Sequence, residues 1–292
     1  MNYKHAFHAG NFADVVKHIL LQRLLFHACV KAKPLRYIDT HAGNGCYSLH
    51  CDEALRTGEW VDGIGQLQKA SLCEQALPLI APYLSLLARC RAHYGETTYF
   101  GSPLLAQLML RADGDKLHDK SILIEKHPQV AADLRNIARA WSHTKVLQRD
   151  GWETLSALIP PPERRGVVLI DPPYEVANEW DVICTQLLKA WQKWSTGIYA
   201  LWYPIKDLDA LETHMKQIKT SGMRKVLRLE VMIKQPSHEK GLIGTGMLVI
   251  NPPWLLESEA QILLPELARV LGKDQQLSMT PRSSRIEWLV EE

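Results

Sequence analysis

Apolar residues recur along the chain in two periods, and the alternation of those periods sets the expected architecture. Phe12, Val15, Val16, Ile19, Leu20 and Leu24 are spaced three to four apart behind a capping Asn11, which predicts an amphipathic helix ending before Pro34. Short β-branched or apolar runs at 35–39, 121–125, 145–148, 166–171, 197–203, 223–233 and 245–251 read as seven strands. Between most of them lie helical stretches, 128–141, 178–194 and 208–220, long enough to cross over between parallel strands. The last two runs are joined by 234–244, which carries Gly and Pro without helical periodicity, so they should pair antiparallel at one sheet edge. The expectation is an α/β domain with six parallel strands and one antiparallel strand.

More than 80 residues separate Asp39 from Glu125, where a simple βαβ unit needs about 30. An insertion is therefore expected at 51–97, containing the helical stretch 77–94, within a core formed by 1–50 and 98–292. A chain of 292 residues with 46% hydrophobic and 23% charged residues can bury a large core, which excludes disordered and collagen-like classes. No apolar run reaches the roughly 18 residues of a membrane helix and the first residues lack an apolar signal core, so a soluble, cytoplasmic protein with no membrane partner is expected. The six cysteines are irregularly spaced with no Cys-x-x-Cys, which offers neither a zinc ribbon nor a redox motif. The net charge of +2 allows a polyanionic partner without demanding one.

The sharpest chemical feature is Asp171-Pro172-Pro173-Tyr174, directly after the apolar run 167–170 and so at a strand's carboxyl end, where open α/β sheets place ligands. Two prolines stiffen the turn and carry no N–H, leaving carbonyl acceptors beside a carboxylate and an aromatic plane. Those parts suit an exocyclic amino group on a planar base. Adenine N6 is a poor nucleophile because its lone pair is delocalised into the ring. If Asp171 and the Pro172 carbonyl each accept one N6 hydrogen, the nitrogen can pyramidalise toward a methyl donor while Tyr174 stacks on the base. The bland alternative is a proline-stiffened loop with a capping aspartate. Asn251-Pro252-Pro253-Trp254 fits the same loose pattern after another apolar run, but it ends the seventh strand. Asp171 ends the fourth, as the order of a class I methyltransferase requires.

Gly43 and Gly45, in the turn after the first strand, permit positive φ and close approach by a ligand. A nicotinamide fingerprint would need a third small residue where Ser48 stands. Glu125 ends the second strand and is suited to accept from both ribose hydroxyls of a nucleoside cofactor, and Asp150-Gly151 after the third strand could meet its adenine. His5, His8, His18 and His41 fall near the N-terminus and the glycine turn, but no pair shows zinc-ligand spacing with an acidic partner, so no metal is expected. His18 and His41 could instead cover the cofactor. Lys17, Arg164, Arg165, Arg224, Lys225 and Arg228 are individually ordinary surface charges, a subset of which would supply phosphate contacts if they shared one groove.

The string Tyr3 to Asn11 with Asp14, Lys17 and His18, then Asp39-Thr40-His41-Ala42-Gly43, Gly101-Ser102-Pro103-Leu104, Asp171-Pro172-Pro173-Tyr174 and Leu201-Trp202-Tyr203-Pro204, resembles the bacterial 23S ribosomal RNA adenine-N6 methyltransferase J family. The resemblance spans nearly the whole chain. It implies a class I S-adenosylmethionine-dependent methyltransferase, with a Rossmann-like seven-stranded mixed sheet and a small inserted helical subdomain, that modifies N6 of one adenosine (position 2030 in the family's 23S rRNA numbering). The expected substrate is free 23S rRNA rather than the assembled ribosome, and the expected state is a monomer. By the same resemblance Asp171 is catalytic, and His18, His41, Ser102, Glu125, Asp150 and Gly151 contact S-adenosyl-L-methionine together with Asp171. Tyr3, His5 and Lys17 join Pro172 and Tyr174 at the target adenosine. DNA adenine methylation, protein glutamine methylation and catalytically silent RNA binding are the competing readings.

Overall fold

The computed structural model describes residues 4–111, 118–176, 178–235, 241–274 and 283–291. The main sheet contains β1 (Arg36–Asp39), β4 (Lys120–Glu125), β5 (Thr144–Gln148), β6 (Gly166–Ile170), β7 (Ile198–Ile205), β8 (Val226–Met232), β9 (Gly244–Ile250) and β10 (Ser284–Val290). Their spatial order is β10-β8-β9-β7-β6-β1-β4-β5. From β5 to β7 all neighbours pair parallel, and β9 enters antiparallel between β7 and β8, which leaves β8 parallel to the other five. The six-plus-one pattern is thus present, with an eighth strand added: β10 pairs antiparallel with β8 and takes the edge expected for the last two runs. Its Ile286 and Trp288 alternate with Arg285 and Glu287 ahead of the buried Leu289, a weaker signal than the continuous apolar runs of the interior strands.

Two helical layers cover the sheet. On one face lie α1 (Phe12–Val30), α5 (Ser102–Met109), α6 (Pro128–Ala138) and α10 (Leu256–Leu271), and on the other α7 (Gly151–Leu158), α8 (Glu179–Lys193) and α9 (Leu208–Thr220). Both faces of β6 are therefore dry, and all five of its residues are buried.

The segment between β1 and β4 leaves and returns through an antiparallel ribbon of β2 (Cys46–Ser48) and β3 (Thr98–Phe100). Between them lie α2 (Asp52–Thr57), α3 (Ile64–Lys69) and α4 (Leu77–Tyr94). Ile64, Leu67, Ile80 and Tyr83 join the same core as α1.

Helix α1 corrects the amphipathic reading. The sheet encloses it together with α4, α5 and α10, so Asp14, Lys17, His18, Gln22 and Arg23 are buried along with the apolar positions. A charge in such a place costs several kcal/mol unless paired. Arg23 donates to Glu259 of α10 at 2.8 Å, His18 shares a hydrogen bond with Tyr99 at 2.9 Å, and Lys17 reaches the carboxyl edge of the sheet.

Candidate active site

Residue 171 follows β6 directly, and the parallel pairing brings the ends of β6, β1, β4 and β5 side by side. Asp171, the turn after Asp39, Glu125 and Asp150 therefore form one row, each on the next strand, spanning three inter-strand gaps or roughly 14 Å. Asn251 terminates β9, which runs the other way, and it lies at the opposite edge beside Ile198. By strand spacing it stands roughly 15 Å from Asp171. Its side-chain amide donates to the Ser195 carbonyl at 2.8 Å and the Gly197 carbonyl at 2.7 Å, a structural clamp.

Lys17 Nζ donates to Asp171 Oδ2 at 2.6 Å and lies 2.8 Å from Asp14 Oδ1. Asp14 Oδ2 in turn meets His5 Nε2 at 2.9 Å and accepts the Gly10 N–H at 3.0 Å. Burial alone would raise the Asp14 carboxyl, but His5 and Lys17 hold it well below the usual carboxylate range. Burial would likewise lower the Lys17 ammonium, yet Asp14 and Asp171 raise it. The result is a continuous chain of polar contacts from His5 through Asp14 and Lys17 to Asp171. Pro172 is buried. Tyr174 adopts a positive φ of 52° and donates its hydroxyl to the Trp202 carbonyl at 2.7 Å, with its ring edge-on to Trp202. Lys17 lies 5.5 Å from the centre of the Trp202 ring. Tyr3 lies outside the described residues.

The glycine turn is held by the residues expected around it. One Glu125 oxygen accepts the Gly43 N–H at 3.0 Å and the other accepts the His127 N–H at 2.7 Å. Gly43 has φ +62°, and a Cβ there would come within 2.4 Å of the Tyr47 hydroxyl. A Cβ on Gly151 would lie 2.1 Å from the Thr40 carbonyl, so only glycine lets α7 start this close to β1. Asp150 caps that helix through Trp152 N–H at 3.0 Å and meets Lys126 at 3.0 Å. Burial opposes ionisation of Asp150, but Lys126 and the two capping N–H groups hold its pKa down.

Ser102 and His18 are fully enclosed. Ser102 donates to Asp39 Oδ2 at 2.7 Å, beside Tyr37 at 2.8 Å, and burial pushes Asp39 up to about 6. His41 pairs with Thr40 Oγ1 at 2.8 Å and packs edge-on to Trp152. Burial lowers His18 to about 3 and His41 to about 4, so both rings are neutral at pH 7. Three site residues lay outside the sequence-based set: Asp14, Asp39 and Trp202. All three stand inside the strings that carried the family resemblance, but the roles of Asp39 and Trp202 depend on contacts across 63 and 28 residues.

A parallel sheet with a glycine turn after β1, an acid after β4 and an Asp-Pro-Pro-Tyr loop after β6 defines a class I S-adenosylmethionine-dependent methyltransferase. The glycine cradle and the oriented Glu125 carboxylate fit the nucleoside end of that cofactor. The chain belongs to the family described as Ribosomal RNA large subunit methyltransferase D, RlmJ, whose model matches residues 32–290. It is 36% identical over 294 residues to Ribosomal RNA large subunit methyltransferase J of Haemophilus influenzae, with 100% of both chains covered. The Escherichia coli protein of the same name is 36% identical over 269 residues, covering 91% of this chain and 92% of that one. A Legionella pneumophila crystal structure superposes with a TM-score of 0.82 at 33% identity, covering 96% and 98% of the two chains. The protein is an rRNA methyltransferase that uses S-adenosyl-L-methionine. Among the described residues no helix is long and apolar enough to cross a membrane.

Proposed function

We propose that the chain methylates N6 of a single adenosine, position 2030 in the family's numbering, on free 23S rRNA rather than on the assembled ribosome, as a cytoplasmic monomer. The observation that carries this reading is the Asp171 carboxylate at the end of β6, fixed through Oδ2 by the buried Lys17. The cofactor supplies an electrophilic methyl group. Asp171 Oδ1 and the Pro172 carbonyl accept the two N6 hydrogens, which frees the nitrogen lone pair, and Tyr174 holds the base plane. Preorganised acceptors do this without a strong base, since their geometry is set before the base arrives.

In this reading Glu125 binds the ribose hydroxyls, and Asp150, Gly151 and His41 flank the cofactor adenine. Ser102 and His18 act on the same pocket through Asp39 and Tyr99. His5 and Lys17 serve the substrate side by ordering Asp171, and Tyr3 meets the target base. Residues 1–50 and 98–292 form the catalytic core, with 51–97 inserted in it.

The test supplies methyl-labelled S-adenosylmethionine with naked 23S rRNA, assembled large subunits, duplex DNA or a protein extract. N6-methyladenosine at one position of the naked RNA is the expected product. Label entering chiefly subunits, DNA or protein, or a different modified nucleoside, contradicts the reading.

A further inference from the structure

Asn251-Pro252-Pro253-Trp254 plays no part in the site above, yet it presents the most exposed large apolar side chain among the described residues: Trp254 is 94% accessible. Exposing an indole forfeits the burial that normally places tryptophan inside. The ring is not on a slack loop. The Asn251 clamp fixes one end of the tetrad, the Asn251 N–H bonds to the Lys225 carbonyl at 2.9 Å, and the Leu256 N–H closes a turn on the Pro253 carbonyl at 2.9 Å. Two prolines between these anchors remove further backbone freedom. Trp254 is thus held outward on a rigid turn ahead of α10.

The surroundings are cationic. The amino edge of the sheet gathers the segments that precede β1, β6 and β8, and with them the exposed Lys31, Lys33, Arg164, Arg224 and Lys225. Arg165 ties two of these segments together by donating to the Lys33 carbonyl at 2.6 Å. A cavity of about 240 Å³ opens between Arg164, Trp194 and Thr196, next to the carbonyls that Asn251 clamps. Glu163 is already taken up by Arg36 at 2.9 Å, which leaves Glu257 and Glu291 as the acids nearest the tetrad in sequence and pairing.

We propose that this edge is a second RNA-contact surface, on which an unpaired base of the rRNA substrate stacks on Trp254 while the flanking phosphates meet Arg164, Arg224 and Lys33. A rigid aromatic plane beside a basic strip is how single-stranded nucleic acid is bound without sequence readout. The surface lies opposite the catalytic edge, so it holds RNA flanking the target and leaves the pocket free. The inference rests on RNA as the substrate but not on which atom is methylated, and it is read by binding rather than by product.

The experiment measures 23S rRNA binding and methylation by Trp254→Ala, Trp254→Phe and Arg224→Gln, with thermal stability as a fold control. Loss of one stacked base weakens RNA binding on the order of tenfold. Trp254→Ala should show that loss, with Trp254→Phe close to the parent, and Arg224→Gln should reduce the steepness of the salt dependence. KM for RNA should rise while kcat and S-adenosylmethionine affinity stay constant. RNA binding unchanged in Trp254→Ala overturns the proposal, as does an effect confined to self-association measured by sedimentation. A failure of N6 specificity with these binding changes intact would strike the proposed reaction and spare this surface.

Discussion

Lys17 and Asp171 are 154 residues apart in sequence and 2.6 Å apart in space, joined across the first helix and the fourth parallel strand. The contact exists because α1 is buried on all sides from Phe12 to Leu25 and its one lysine must be neutralised. Asp14 alone would satisfy that need, so the second carboxylate makes the helix a support for the reacting edge. Lys17→Met should take the buried ammonium from Asp171 and leave Asp14 with only His5 and the Gly10 N–H, lowering stability by about 3–5 kcal/mol. Cofactor affinity should change little, and kcat should fall more than tenfold at a temperature where the variant is folded. Denaturation curves with single-turnover kinetics check this; a folded variant with parental kcat would show that Asp171 needs no such support.

Glu125 receives two backbone N–H groups, one from the glycine turn and one from its own downstream loop. Glu125→Ala removes charge-assisted hydrogen bonds worth about 1.5–3 kcal/mol each and loosens the turn. S-adenosylmethionine affinity should fall at least tenfold, with Glu125→Gln intermediate because one carbonyl oxygen remains. Calorimetry giving parental affinity for the alanine variant would remove Glu125 from the cofactor site.

Gly151 tests the close approach of α7 to β1. An added methyl would press on the Thr40 carbonyl, and Gly151→Ala should cost about 1–3 kcal/mol by overpacking. The same shift should weaken the cofactor-induced rise in melting temperature. Unchanged melting in both states would mean that the turn yields freely.

Much of this architecture was legible in the sequence because the signals are local. The interior strands are continuous apolar runs, the crossover helices have clear periods, and Asp171 follows its strand by one residue. What was not legible is relational. The polar residues of α1 looked like a solvent face until the insertion and α10 closed over them. Edge strand β10 carries only half-buried alternation. Asp14 and Asp39 acquire their roles from Lys17, Ser102 and Tyr37, and only folding brings Ser102 next to Asp39. The two Pro-Pro tetrads are alike as strings and differ in the sequence only by their place in the strand order, and the antiparallel direction of β9 adds that they lie at opposite ends of the sheet.

The buried histidines make stability sensitive to acid. His18 and His41 are lowered by burial to about 3 and 4, while unfolded imidazole titrates near 6.5. Their contribution is complete above pH 6.5 and is lost as pH falls toward the folded values, because the unfolded chain takes up protons that the native rings refuse. Asp39, raised to about 6, acts in the opposite sense: its contribution is present at low pH and is lost as pH rises through 6. Two imidazoles against one carboxyl leave a net loss of about 1.4 kcal/mol per pH unit between pH 6 and 4. Urea denaturation of the cofactor-free protein across that range should show the slope, and His18→Gln should flatten it. A parent whose stability is level or rises toward pH 4 would contradict the burial of neutral rings.

In the proposed reaction the Asp171 tetrad, and not the Asn251 tetrad, presents an adenine N6 to the cofactor. This is tested most directly by nucleoside mass spectrometry of naked 23S rRNA treated with the parent, Asp171→Ala and Asn251→Ala. All three should be assayed with saturating S-adenosylmethionine, with cofactor binding checked separately. N6-methyladenosine at one site is expected from the parent and from Asn251→Ala, and none from an Asp171→Ala protein that still binds cofactor. Methylation persisting in Asp171→Ala and vanishing in a folded Asn251→Ala would contradict this assignment.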